Sequence, residues 1–483
     1  MHQRAWCDAN DRFYLSGLSH VTEAGELHLG KREPMKKALI FFLFPVFEAV
    51  AQEPITLQDA VRLALTRNKS IEASSAAKKA AESRITEARS GLLPKIGYAE
   101  TWTRSDSPVF VFGSLLAQHR FGADNFQLGP LNRPDYLNNF QSQITADQVL
   151  YEGGQTRNAV RSAELGRDLA AEEGRRTQME VIAGVVRAYY DSLLSADQSN
   201  VTGQAMKSVE ADLARAESVR DAGMSTDADV LSIRVHRAGV REQQIRREAD
   251  AEVARAALND ALGVPLDTPH QLSTRLTPLD SAVGSAEERE HSATEQRPEA
   301  REAKLMTSMA EARAAIVRGN LRPQVVLHAA FEADRQRFVT RAGDNWTVSL
   351  GLRWNLFNGF ADKAQIEESH FAVERSNAEQ ARADSAIRLQ VRRASADLRS
   401  ATQRIEVAKA SVAEAEESLR ITQNRYEAGM GNVTELLRTE TAVLEARTRQ
   451  LAAVRDQRFA AAMLELASGT LTADSAVVNG GIR

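Results

Sequence analysis

Catalysis needs a nucleophile, a base, or a metal held by close-set ligands, and none stands here in a recognisable pattern. The nine histidines are scattered without metal-ligand spacing. No serine sits in a nucleophile elbow and no Gly-rich loop is built to hold phosphate. The single cysteine, Cys7, lies in a mixed polar stretch at the N-terminus, so the remainder has no thiolate nucleophile, disulfide or thiolate metal site. No enzyme activity and no cofactor are expected. The chemistry that remains is partition between lipid and water. Trp346, Val348, Leu350, Leu352, Trp354 and Leu356 alternate with Thr347, Ser349, Gly351, Arg353 and Asn355. One face of such a strand is wholly apolar; the other is polar and carries a charge. The two tryptophans are eight residues apart, about 26 Å along a strand, which suits a lipid-facing band between aromatic girdles. Upstream, Val325, Leu327, Ala329 and Phe331 alternate with Gln324, Val326, His328, Ala330 and Glu332. Trp346 and Trp354 are therefore expected to face lipid, and His328, Glu332 and Arg353 to face a lumen, His328 as a lining residue rather than a ligand. A soluble half-buried sheet would alternate in the same way. The paired tryptophans, the export signal described below and the scarcity of other strands favour the membrane.

The elements that must position these strands are written twice. Arg89-Ser-Gly-Leu92-Leu-Pro94-Lys-Ile96 returns as Arg318-Gly-Asn-Leu321-Arg-Pro323-Gln-Val325, an offset of 229. Leu150-Tyr-Glu-Gly153 returns as Leu356-Phe-Asn-Gly359 and Ala222-Gly-Met224 as Ala428-Gly-Met430, both at 206. The first copy is thus longer by 23 residues between 96 and 150 and matches in length beyond. Each copy reads as helix, β-hairpin and very long helix. In copy one a helical stretch runs from the cap Thr56-Leu-Gln-Asp59 to about Gly91, and strands follow near 95–104 and 138–151. Copy two repeats this, with strands near 324–334 and 346–357. From Ala361 to Ala428 there is neither Gly nor Pro in 68 residues, enough for roughly 100 Å of helix. Gly223 and Gly429 then permit turns into returning helices. The apolar run Val109-Phe-Val-Phe112 with Leu115-Leu116 lies in the longer first loop. It either folds inward as a constriction or packs against a neighbouring subunit, and packing is the expectation.

Composition agrees. The chain has 483 residues, 43% hydrophobic but only 6% aromatic, and 26% charged, a balance suited to long helices. A net charge of −4 supplies no basic field for nucleic acid. Met35-Lys-Lys37, the apolar run from Ala38 to Phe47 and Ala49-Val-Ala51 have the layout of a secretory signal peptide. Residues 1–34 are then an upstream extension, with translation expected from Met35, and 35–51 the signal. Residues 52–268 form the first repeat, 269–293 a linker or equatorial segment, 294–470 the second repeat and 471–483 a C-terminal tail. Four strands cannot close a barrel, since the smallest membrane barrels use eight, and open edges do not survive in lipid. The chain must oligomerise, and a trimer would supply twelve strands.

Glu87-Ala-Arg-Ser-Gly-Leu-Leu-Pro94, Leu150-Tyr-Glu-Gly-Gly154, Leu356-Phe-Asn-Gly359, Arg425-Tyr-Glu-Ala-Gly429 and Thr434-Glu-Leu-Leu437 together resemble the repeat motifs of the TolC family of outer-membrane efflux proteins, over about residues 54–470. The resemblance implies a mainly α fold with membrane β: a homotrimer with a twelve-stranded barrel in the outer membrane, continued by a periplasmic α-helical barrel. It also implies a passive exit duct of a tripartite efflux or type I secretion system. The partners would be a periplasmic adaptor protein and an inner-membrane pump of the RND, ABC or MFS type. By the same resemblance, Gly223, Met224, Ser225, Gly429, Met430 and Gly431 form adaptor-docking tips, and Asp229, Tyr426, Glu435 and Arg438 occupy periplasmic gate positions. Gly431 replaces a basic residue common in the family, and Arg438 stands where a second acid occurs. Three-fold symmetry would gather Asp229 and Glu435 into a negative ring that favours cations; the alternative is a solvated helix face. The rival class is a periplasmic coiled-coil adaptor or scaffold without a pore, which explains the helices but not the duplicated hairpins.

Overall fold

The structure is a computed structural model that describes residues 54–279 and 285–479. The signal segment, the upstream stretch and Cys7 expected from the sequence lie outside the described residues. Helix α1 (Leu57–Arg67) starts at Thr56, whose hydroxyl accepts from the Asp59 amide at 3.1 Å. A single helix to Gly91 is expected from the sequence, but Asn68 divides it. Its backbone is extended, and its side chain caps α2 (Lys69–Arg89) through Ser70 N at 2.8 Å while donating to Ala261 O at 3.0 Å. An Asn that satisfies both a helix start and a distant carbonyl holds the chain out of the helix more firmly than propensity holds it in.

Leu93-Pro94 stops α2 before strand β1 (Lys95–Ser105). The longer loop carries two short helices, α3 (Pro108–Ala117) and α4 (Leu128–Asn132), before β2 (Leu137–Tyr151). Gly153 and Gly154, both at positive φ, turn the chain into α5 (Gln155–Asp221), and α6 (Asp227–Leu262) returns. Helices α7 (Ala286–Gln296) and α8 (Pro298–Gly319) open the second copy. There follow β3 (Gln324–Arg335), β4 (Gly343–Arg353), α9 (Ala361–Glu427) and α10 (Val433–Ser468). The repeat is metrical: α5 and α9 have 67 residues each, α6 and α10 have 36 each. At 1.5 Å per residue the long arms run about 100 Å.

All four strands form one antiparallel sheet in the order β1-β2-β3-β4, so the two hairpins are stitched together and, among the described residues, the outer edges of β1 and β4 pair with no other strand. The main core lies part-way along the helices, where Leu57, Val61, Tyr189, Tyr190, Leu258, Leu398 and Leu464 meet. Tyr189 donates its hydroxyl to Ile55 O at 2.9 Å, and Ile55 bridges Leu272. Leu471, Val477 and Val478 are buried in the same core, so residues just beyond α10 are fixed by packing. Among the described residues no helix is long and apolar enough to cross a membrane.

Candidate functional site: a two-faced sheet and twin helical tips

The registers place residues in rows across the sheet. Tyr98, Ile144, Phe331 and Trp346 stand in one row on the apolar face, and Leu327 with Leu350 and Val325 with Leu352 continue it. Trp346 is 76% exposed and Leu350 66%; a wide exposed apolar surface on a sheet marks an interface with lipid or protein. The polar face carries Asp147, His328 and Ser349 in one row and Gln143, Glu332 and Asn345 in another, with Arg353 opposite Gln324. His328 Nδ1 lies 2.7 Å from Asp147 Oδ1, and Glu332 accepts from Gln143 Nε2 at 2.6 Å. His328, Glu332 and Arg353 therefore share one face, and Trp346 belongs to the other. Trp354 does not belong to the strand as the alternation suggests. Strand β4 ends at Arg353, and the Trp354 indole donates to Leu321 O at 3.0 Å, which ties it to the turn before β3 instead of extending the ladder. Leu356 likewise falls beyond the strand.

One polar cluster on the apolar face was not anticipated. One row beyond Trp346, Glu100 accepts from Arg335 Nη2 and the Tyr98 hydroxyl, both at 2.9 Å, and from the Ser142 hydroxyl. Arg335 Nη1 also donates to Ser142 Oγ at 2.7 Å. This clamp joins β1, β2 and β3 and interrupts the apolar face on the side of the longer loop, with Trp102 and Phe140 in the next row beyond Glu100. The parity of Arg335 relative to Phe331 held the signal.

At the opposite end of the molecule the two tips are built alike. Gly223 and Gly429 adopt φ of +74° and +72°, and the amides of Met224 and Met430 close back on Val219 O and Arg425 O at 3.0 and 2.9 Å. Met224 and Met430 stand exposed beside them. Asp229, the third residue of α6, completes a capping box with Thr226 and accepts from Ser225 Oγ at 3.0 Å. Glu435 has the same position in α10, where Asn432 is the cap, and its carboxylate lies 3.6 Å from Arg425 of α9. Each acid thus sits where a helix N-terminus favours negative charge. Tyr426 is half-buried against the cluster of Val209, Leu213, Val230 and Val433, and burial beside Asp229 and Asp212 pushes its phenol pKa up. A Cβ at Gly431 would lie 3.1 Å from the Tyr426 amide nitrogen, a reason for the small residue there. Arg438 is exposed.

Above the tips lies a group that sequence reasoning missed. Asp212 of α5, only 6% exposed, meets Glu440 of α10, and His236 Nε2 of α6 is 3.4 Å from Glu440 Oε2. Nearby, Arg215 of α5 pairs with Glu427 of α9. Burial, reinforced by Glu440, pushes the Asp212 carboxyl up to about 7. Its visible signal was an acid within the apolar stripe Val209, Leu213 and Ala216. No group of three or more His, Cys, Asp or Glu side chains is arranged to hold a metal ion among the described residues.

Known proteins share both the sequence pattern and the shape. The family model described as outer membrane efflux protein matches residues 60–264 and 291–470. Protein CyaE of Bordetella pertussis is 29% identical over 351 residues, covering 70% of this chain and 72% of that protein. Outer membrane efflux protein BepC of Brucella suis is 23% identical over 381 residues, covering 76% and 80%. Among solved structures, the CmeC outer membrane channel of Campylobacter jejuni superposes with a TM-score of 0.74 at 14% identity, covering 88% of each chain. The open state of the MtrE outer membrane channel of Neisseria gonorrhoeae gives 0.70 at 17% identity, covering 86% of this chain and 91% of that one.

Proposed function

The chain belongs to the outer membrane efflux protein family and is an outer-membrane channel with a large periplasmic part, not an enzyme; from that premise we propose that three copies join to make one conduit. In that trimer β4 of each copy pairs with β1 of the next, so that twelve strands close a barrel with the apolar face against lipid and the polar face around water. The observation that carries the reading is the single four-stranded sheet with one apolar face, one polar face and two open edges. Unpaired edge groups cost several kcal/mol each in hydrocarbon (roughly, by transfer of an amide), so closure by identical copies is the economical solution. Trp346, with Trp354 at the strand's end, forms the girdle, and His328, Glu332 and Arg353 line the lumen. The long helices continue the barrel as a periplasmic tunnel whose tips receive a periplasmic adaptor protein. An inner-membrane pump of the RND, ABC or MFS type loads the cargo. A pore-less coiled-coil scaffold would give the sheet no task.

The tip residues divide into two tasks. Gly223, Met224 and Ser225 with Gly429, Met430 and Gly431 form the adaptor contacts, Met224 and Met430 as exposed apolar anchors. Asp229, Tyr426, Glu435 and Arg438 form the gate, Glu435 restrained by Arg425. The experiment is outer-membrane fractionation followed by single-channel recording. The expected result is a heat-sensitive trimer in the outer membrane that conducts, with Glu435→Gln lowering cation preference and changing gating. A soluble periplasmic pool without conductance would overturn the conduit; unchanged selectivity and gating in the variant would remove Glu435 from the gate.

A further inference from the structure

The first copy's extra residues fold onto the sheet rather than away from it. Helix α3 packs against β2, β3 and β4, and side chains of the polar face bond its C-terminal end. Gln118 donates to Asn138 O at 3.1 Å and to Asn139 Oδ1 at 2.8 Å, and Asn345 Nδ2 donates to Ala117 O at 3.1 Å. Asn139 in turn donates to the buried Asp334 at 2.6 Å. A Cβ at Gly343, a polar-face position, would run into Ala117 O, so the sheet meets the helix without clearance there. Val111, Ser114 and Gln118 are buried, and spacings of three and four residues put them on one side of α3. The opposite side carries Val109, Phe112 and Leu116, with Val109 84% exposed. Phe121 and Phe126 stack in series behind Phe112, with ring centroids 4.7 and 5.1 Å apart.

We propose that α3 is a cap for the outer mouth of the channel: three copies bring Val109, Phe112 and Leu116 together on the axis as an apolar constriction. The inference rests on the barrel proposed above, because only there does the polar face surround a lumen. A helix lying on that face must then aim its other side at the axis. Size supports closure. Twelve strands about 4.8 Å apart and tilted about 40° enclose a backbone circle roughly 24 Å across. Side chains on the polar face take up about 5 Å on each side, so the open width is roughly 14 Å, and three helices about 10 Å thick at the mouth are more than enough to close it. The occupant of each exposed stripe is accordingly the same stripe of the other two copies, and such a ring excludes water and ions until cargo parts it. The second copy's turn, between Arg335 and Gly343, carries no such helix.

The test replaces Ser349, in the polar-face row with His328, by Cys in a chain whose Cys7 is changed to Ser. Intact cells are then treated with a maleimide-terminated polyethylene glycol too large for ordinary porins. Three chains are compared: one with α3 intact, one with residues 108–132 replaced by a short Gly-Ser turn, and one carrying Val109→Ser, Phe112→Ser and Leu116→Ser. Labelling is expected to rise on the order of 10-fold in both altered chains, as a mouth changes from dry to wet. Phe112→Cys in the Cys7→Ser background is expected to give disulfide-linked dimers between copies. Equal labelling with and without α3, or no disulfide at Phe112→Cys, overturns the cap. No labelling of Ser349→Cys in any of the three chains removes the polar face from the aqueous path, so the barrel reading fails and the cap with it.

Discussion

At the scale of single residues, the buried acid Asp212 makes stability depend on pH. Its folded pKa, about 7, lies above the value it has in an open chain because burial beside Glu440 disfavours the charge. A raised carboxyl pKa means that the folded state holds its proton longer than the unfolded state does. The stabilisation tied to that proton is present below the unfolded value and is lost as pH rises towards and through about 7. Asp212→Asn keeps the shape without the titration. Calorimetric scans from pH 4 to pH 8 are expected to show the variant gaining on the parent as pH rises, and a constant difference would refute the assignment. Thr226 offers a second check at this scale. Its hydroxyl caps α6, so Thr226→Ala is expected to cost about 1 kcal/mol. Hydrogen exchange should show the loss confined to the first turn of α6, beside Asp229.

At the scale of elements, turns that look alike carry unequal loads. Gly223 and Gly263 both end long helices at φ near +70°. A Cβ at Gly223 meets nothing within 4 Å, whereas one at Gly263 would lie 2.7 Å from Arg67 O, where α6 passes the break between α1 and α2. Gly223→Ala is expected to cost about 1–2 kcal/mol, the left-handed penalty alone. Gly263→Ala adds a clash with backbone and is expected to cost more, as a lower thermal midpoint; equal midpoints would deny the close approach. The same contrast explains what was legible in the sequence. Strands β1 to β4, the twin long helices and the turns at Gly223 and Gly429 were readable because period and Gly placement are local. The break at Asn68 was not, since its second hydrogen bond is to Ala261, 193 positions along the chain. Helix α3 is not legible in the sequence because Val109-Phe-Val-Phe112 and Gly113 favour no helix; packing against the sheet supplies what propensity withholds. Of the site, the polar and apolar rows were visible as alternation, while the pairing of Asp212 with Glu440 and of Arg335 with Glu100 needed the fold.

At the scale of the whole molecule, the equal arms of the two copies bring both tips to corresponding points, so three chains would present six similar mouthparts around one axis. They would not be equivalent, since Met224-Ser225-Thr226 and Met430-Gly431-Asn432 differ beside the same turn. Removing one anchor at a time tests this. Met224→Ser and Met430→Ser are each expected to weaken adaptor binding by a few-fold, to different extents, in pull-downs with the cognate adaptor; no effect from either would detach the tips from docking. The Glu100–Arg335 clamp joins strands of both copies, so Arg335→Ala is expected to lower the temperature at which the assembled oligomer dissociates on gels. The placement of tryptophan gives the molecule an optical property. Trp102, Trp346 and Trp354 are the tryptophans of the described residues, and all are exposed at the sheet or its border. The long helices have none. With Trp6 changed to Phe, fluorescence excited at the indole band should therefore report the sheet and stay silent about the long helices. Lipids brominated at successive carbons would then act as a ruler, reading how deep the sheet sits without any label being attached.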